Sequence, residues 1–375
     1  MKIAPASISI ILQEIPMAER LKDMFFTQES INKFVDAIQK QHPDFDKKRF
    51  CRLMFDKSFE TKELLDKMRH TTQCLHDTLP KSYKDALNIL RKVAPHVKGF
   101  EAMALPDFVA TYGLNEWALS LPALGYFTQY FSSELAIRPF LAKDPEKGME
   151  CMMAWAEDKN PKVRRLASEG CRPRLPWAMA LPQFKKDPAL IFPILEKLKD
   201  DTSEDVRRSV ANNLNDISKD NPDLALGICE KWYGQSANTD KIVKHACRTM
   251  LKAGNKRALA IFGYGDPSLL SVKNLHLDKK VLSIGDDLTF SFDLAVTEKS
   301  KVRLEYAVFF VKAKCKLSKK VFQILEKDYE GGTYSITRKQ SFKEQTTRKH
   351  YPGTHQIAVI ANGEEKAKAS FDLKK

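Results

Sequence analysis

The hydrophobic periodicity of this 375-residue chain changes once, near residue 267, and that change divides what the chain can fold into. Before it, apolar residues recur every three or four positions, the spacing of a helix that buries one face. Ser30–Gln41, Lys81–Val93, Pro188–Lys199 and Pro222–Trp232 read this way, and each opens near a Ser, Asp or Asn suited to an N-cap. After Gly263-Tyr264-Gly265-Asp266-Pro267 the apolar residues alternate: Leu288, Phe290, Phe292, Leu294; Val302, Leu304, Tyr306, Val308; Ile357, Val359, Ala361; Ala367, Ala369, Phe371, Leu373. Period two specifies half-buried strands. Asn362-Gly363 between the last two runs signals a tight hairpin. About seven short strands in this stretch predict an antiparallel sandwich. It is immunoglobulin-like in architecture alone, because Cys315 is its single cysteine and no inter-sheet disulfide can form.

The helical part carries a repeat. Asp158-Lys-Asn-Pro-Lys-Val-Arg-Arg-Leu-Ala-Ser-Glu169 aligns with Asp201-Thr-Ser-Glu-Asp-Val-Arg-Arg-Ser-Val-Ala-Asn212, so Val163 falls on Val206 with a period of 43. A weaker copy, Val243-Lys244-His245-Ala246, follows 37 residues later. Helical pairs of the HEAT kind repeat every ~40–47 residues and stack into solenoids with a concave face. The expected architecture is a mainly α HEAT-like helical-repeat solenoid followed by an all-β immunoglobulin-like sandwich. Its divisions are an N-terminal extension over 1–20, a repeat domain over 21–267 and the sandwich over 268–375.

Composition narrows the partners. Lys and Arg number 62 against 48 Asp and Glu, a net charge of +14 that favours polyanions. The segment from Ser268 onward holds 21 against 13, net +8, and the remaining 267 residues net only +6. Lys312, Lys314, Lys316, Lys319 and Lys320 lie on one ribbon. Such a ribbon is either a lysine-guarded sheet edge or a surface that contacts phosphates. The seven cysteines are widely spaced with no CxxC, which disfavours a disulfide framework or a cysteine zinc site and fits a reducing compartment. No apolar run approaches the ~20 residues of a membrane helix. No nucleotide-binding loop, GxSxG or HExxH occurs, and no metal or other cofactor is expected.

Acidic residues stand out on a face that should be basic. Arg165, Glu169 and Arg172 share one side of the helix in the first repeat, away from Val163, Leu166 and Ala167. The second repeat offers Arg208 and Asn212 at the matching positions, with Asp216 one turn on. Glu134 lies earlier, with Arg138 four residues later. Successive solenoid helices present matching faces to one surface, so Glu134, Glu169 and Asp216 are candidates to converge there, ringed by Arg138, Arg165, Arg172, Arg174 and Arg208. The plain alternative is a set of exposed i, i+4 pairs worth ~0.3–0.5 kcal/mol each. Trp177 is read either as core or as a functional aromatic.

The stretches SSELAIRPFL (132–141), NPKVRRLASEGCRPRLPWA (160–178) and VRRSVANNLNDISKDNPD (206–223) closely resemble the AlkC family of HEAT-like-repeat DNA glycosylases. TTRKHYPGTHQ (346–356) and Asn362-Gly363 resemble the immunoglobulin-like domain appended in that family. The resemblance runs from about Leu21 to the end. It implies hydrolysis of the N-glycosidic bond of N3-methylated bases, 3-methyladenine and 3-methylcytosine, in duplex DNA. It implies that Glu134, Glu169 and Asp216 are the active-site carboxylates, that Trp177 is the active-site tryptophan and that Arg165 stands beside it. An N3-methylated base is cationic and leaves readily, so charge develops on the sugar as in glycoside hydrolysis. Carboxylates stabilise that charge and orient water. The expected protein is a monomeric, monofunctional enzyme of the bacterial cytoplasm, working on the nucleoid, with the sandwich clamping DNA. A non-catalytic HEAT-like DNA-binding protein is the alternative, and a protein-binding scaffold a more distant one.

Overall fold

A computed structural model describes residues 24–313, 316–344 and 349–375. The expected extension over 1–20 and Lys314 lie outside these described residues. Sixteen α-helices precede eight strands among them, so the single change of period is a single change of architecture. Where the pattern predicts helices over 30–41 and 81–93, helices span Gln28–Gln41 and Tyr83–Val93. Thr27 and Ser82 cap them by accepting from the backbone N–H of Ser30 and Asp85. Each cap satisfies a donor with no partner inside the helix and contributes ~1 kcal/mol. The segment predicted over 188–199 instead begins with a 3-10 turn, Ala189–Ile191, before an α-helix at Phe192–Leu198.

The repeat is legible at atomic level. Four helices build the candidate site and its frame: α1 (Arg138–Lys143), α2 (Pro161–Gly170), α3 (Glu204–Ile217) and α4 (Ala237–Ala246). Asp158 and Asp201 both turn a carboxylate oxygen back to a backbone N–H two residues on, at 2.7 Å in each case. Arg164 donates to the Asp158 carbonyl, and its counterpart Arg207 donates to the Asp201 carbonyl. Arg164 also forks onto the Asp201 carboxylate at 2.6 and 2.9 Å, joining one repeat to the next. Val163, Leu166 and Ala167 on α2, with Val206, Val210 and Leu214 on α3, are buried. Asn213 donates to the Ser168 carbonyl at 2.8 Å, and Asn215 donates to the Ala246 carbonyl at 2.6 Å, so polar side chains also tie α3 to α2 and to α4. These contacts and the helical periodicity give a HEAT-like array. Among the described residues, no helix is long and apolar enough to cross a membrane.

The strands form two sheets. One has the order β1 (Leu270–Leu277), β3 (Asp287–Val296), β6 (Gly332–Ser341). The other runs β2 (Val281–Ser283), β8 (Glu364–Lys374), β7 (Gly353–Ala361), β4 (Ser300–Val311), β5 (Leu317–Tyr329). Strand pairing is antiparallel except for β2 with β8. Leu288, Phe290, Phe292 and Leu294 face inward from β3 and meet Val302, Leu304, Tyr306 and Val308 of β4, as the alternation predicts. Each such large side chain contributes ~1.5–3 kcal/mol on burial.

Strand β4 departs from simple alternation. Arg303, Glu305 and Ala307, on its other face, are buried as well. The segment before the strands reaches the start of that face, where Tyr264 meets Arg303: Asn362 donates to the Gly265 carbonyl at 2.8 Å, and Gly265 donates to the Lys301 carbonyl at 3.2 Å. Asn362 and Gly363 have φ of +46° and +83°, as the predicted hairpin turn requires. Gly363 meets Gly254, which has φ +70°, backbone to backbone. A Cβ on Gly254 would fall 2.5 Å from the Gly363 carbonyl oxygen. The chain accordingly groups into two compact units. One takes the residues up to Ala225 with Gly234–Ala246; the other takes Leu226–Tyr233 with everything from Cys247.

Candidate active site

The carboxylates singled out in the sequence meet in one line. Glu134 stands in the turn before α1, where Ser132 Oγ donates to its Oε2 at 2.8 Å. Arg165, on α2, donates from Nη1 to the same oxygen at 2.8 Å, and its Nη2 lies 3.5 Å from Glu169 Oε1. Arg172, just past the end of α2, turns back to Glu169 Oε1 at 2.6 Å and reaches across to Asp216 Oδ2 on α3 at 2.8 Å. Lys219 closes the line on Asp216 Oδ1 at 2.9 Å. The order is Glu134, Arg165, Glu169, Arg172, Asp216, Lys219, with the signs alternating throughout.

The reading as exposed surface pairs is excluded by burial. The carboxylate side chains of Glu134, Glu169 and Asp216 are 4%, 2% and 2% exposed. Removing a charge from water costs several kcal/mol, so each must be matched inside the protein. Burial pushes the Glu169 carboxyl up, and Arg165 and then Arg172 pull it back below the usual carboxylate range. The same attractions hold Arg165 above the ordinary guanidinium value despite its own burial. Glu169 therefore keeps its negative charge in a low-dielectric setting, matched by the arginines on either side.

Trp177 is not a core residue. It is 39% exposed and has φ +64°, in the left-handed region that a bulky side chain seldom occupies. Strain of this sort persists only where the surroundings impose it, and it gathers at functional sites. The Trp177 loop starts at Arg172, the residue that bridges Glu169 and Asp216.

The basic residues divide into two groups. Arg138 is fully buried, so the expectation that it touches DNA phosphates fails: no surface of it is available. It does not pair with Glu134 either; its guanidinium donates to backbone carbonyls. Arg165 and Arg172 spend their donors on the carboxylates. Arg174 is more open but forks onto Asp220 at 3.0 and 2.5 Å. Arg208 is exposed and leans on Glu204 and Asp205. In the sandwich, Lys312 and Lys316 are exposed, Lys319 pairs with Glu365, and Lys320 lies over the Phe322 ring. Ser132 and Lys219 escaped the sequence reading, although each is within three residues of a carboxylate it contacts. Among the described residues, no group of three or more His, Cys, Asp or Glu is arranged to hold a metal ion.

Comparison with known proteins places these features in a lineage. Residues 271–375 match the model of the C-terminal Ig-like domain of the uncharacterised protein YhaZ. YhaZ of Bacillus subtilis (strain 168) is 47% identical over 354 residues, spanning 94% of this chain and 99% of its own. The alkylpurine DNA glycosylase AlkC of Pseudomonas fluorescens, solved bound to DNA containing an abasic site analogue, superposes with a TM-score of 0.91. It is 36% identical, and the match covers 95% of this chain and all of that one. Agreement of sequence and fold over nearly the whole length shows that the chain belongs to the AlkC family.

Proposed function

We propose that the protein is a monofunctional DNA glycosylase that removes cationic N3-methylated bases, 3-methyladenine and 3-methylcytosine, from duplex DNA and leaves an abasic site. The observation that carries this reading is the buried line Glu134–Arg165–Glu169–Arg172–Asp216, in which the bridging residue Arg172 also opens the exposed Trp177 loop. As the C1′–N bond breaks, the sugar takes on positive charge, and Glu169 and Asp216 offer negative charge already fixed in place. A carboxylate also orients the attacking water or takes its proton. A neutral base gains nothing from that field, so damaged and normal bases are separated by charge. Arg165 and Arg172 fill the space between the carboxylates, which supports a base that is exposed rather than swallowed in a pocket. The Trp177 indole supplies a flat apolar face for the sugar or the lesion. Arg174, Arg208 and the sandwich lysines add sequence-independent attraction for the backbone. The enzyme acts as a monomer on DNA in the bacterial cytoplasm.

The test is release of free base from duplexes carrying a single 3-methyladenine or 3-methylcytosine, with strand cleavage assayed separately. Release of both bases, with breaks appearing only after alkali, is the expected result. Tight binding without release of either base would assign the chain to the non-catalytic class. Spontaneous strand breaks would remove the monofunctional assignment.

A further inference from the structure

Arg138 is the largest wholly buried charged side chain of the described residues, and no carboxylate pairs with it. Its Nη1 donates to the Gly170 carbonyl at 2.9 Å and to the Arg172 carbonyl at 2.8 Å. Its Nε donates to the Met179 carbonyl at 2.6 Å. Nη2, also buried, has no hydrogen-bond partner in the protein. Burial of the group pushes its ionisation down to about 10.

Burying an unpaired cation is costly, and a hydrophobic side chain of similar volume is often the more stable choice. The positions of its acceptors indicate what the arrangement achieves. Gly170 ends α2, Arg172 starts the loop, and Met179 lies two residues past Trp177. One planar fork thus ties both ends of the loop to a rigid helix end. A glycine at 170 allows the approach, since a Cβ there would fall 2.6 Å from Ile137 on the turn entering α1. Within the loop itself the backbone makes only long bonds, Ala178 to Leu175 and Leu181 to Pro173, each 3.3 Å. Those bonds are weak restraint for a tryptophan held at positive φ with its ring in solvent. Arg172 is held by the same clamp, through its carbonyl, while its side chain bridges Glu169 and Asp216.

We propose that Arg138 is a positioning residue, which from inside the protein fixes the loop carrying Trp177 against the carboxylates. The proposal rests on the glycosylase reading, because its consequence is a rate of base release. Arg138 touches no substrate. It acts through the indole, and a displacement near 1 Å at such a group lowers rates by ~100-fold. Lysine keeps the charge but cannot span three carbonyls with one planar fork.

A double-mutant cycle on the full chain separates positioning from general support of the fold. Excision of 3-methyladenine from a duplex is measured for wild type, Arg138→Lys, Trp177→Ala and the double variant, with kcat and KM resolved. Both single variants are expected to lose kcat by ~10- to 100-fold, with KM changed far less. The double variant is expected to match Trp177→Ala alone, since a misplaced indole and a missing one have the same consequence. Losses that multiply, or wild-type kcat in Arg138→Lys, overturn the proposal. Should Arg138→Lys fail to fold, Arg138→Gln, which keeps an amide donor without the planar fork, replaces it in the cycle, with the same two outcomes deciding. If wild type releases no base, the glycosylase reading fails; if it releases base and the cycle multiplies, this proposal fails alone.

Discussion

Helices α2 and α3 are built from the same sequence words, and they do opposite things with them. Both present Val-Arg-Arg on their first turns, and in both the first arginine clamps the aspartate carbonyl of its own repeat. The second arginine then diverges. Arg165 turns inward to Glu134 and Glu169, whereas Arg208 lies in solvent beside Glu204 and Asp205. One turn later the contrast widens. Glu169 is buried between two arginines, while its counterpart Asn212 is half-buried and bonded to His245. The carboxylate that α3 does contribute, Asp216, sits one turn beyond the matched position. The repeat thus supplies a frame, and the site lies where the copies stop matching.

The largest expected effect tests that contrast directly. Glu169→Gln should lower base release by ~1000-fold, as loss of one preorganised group does, while Asn212→Ala leaves it within ~3-fold. Equal losses at the two positions would mean that the frame, and not the departure from it, carries the activity. Next in size is the contribution of the sandwich. Replacing Lys312, Lys316, Lys319 and Lys320 with Gln should weaken DNA binding and flatten its salt dependence by up to ~0.9 for each phosphate no longer neutralised. A fluorescence anisotropy titration over salt concentration gives the slope, and an unchanged slope would confine DNA binding to the helices.

A smaller effect bears on the frame itself. Arg164→Ala removes a fork on Asp201 that Arg207→Ala leaves in place, so it should cost more, ~1.5–3 kcal/mol by urea unfolding. Equal costs would show that the fork between repeats adds nothing to the carbonyl clamp inside each. The smallest effect is in acid. The Glu169 carboxyl is lowered in the folded state, so it stabilises the fold fully above its unfolded value, ~4.3, and that contribution disappears as pH falls through the lower folded value. Wild type should accordingly lose more stability over that acid range than Glu169→Gln; parallel curves would refute the assignment of charge to Glu169.

Much of the frame was legible in sequence, because helix and strand periods and the 43-residue repeat are local or periodic signals. Convergence of Glu134, Glu169 and Asp216 followed from matching faces of stacked helices and from the family resemblance. The use of the arginines did not follow. Spacing places Arg138 one turn from Glu134 and suggests a pair, yet the guanidinium takes carbonyls of residues 32 to 41 positions away. Burial of a charge depends on partners distant in sequence, which no local pattern encodes. The same limit applies to Trp177, exposed on a loop whose ends meet Arg138, and to β4, whose Arg303 is buried beside Tyr264 of the preceding segment.

The backbone contact between Gly254 and Gly363 bears on how genes of this kind can be cut and joined. Residue 267 is the natural place to divide the sequence by eye, yet a fragment starting at 268 would lose the partner of its own hairpin and the Tyr264 neighbour of Arg303. A fragment starting at Cys247 would retain both halves of the notch. The unit that keeps this contact whole is therefore the sandwich together with the helical segment before it.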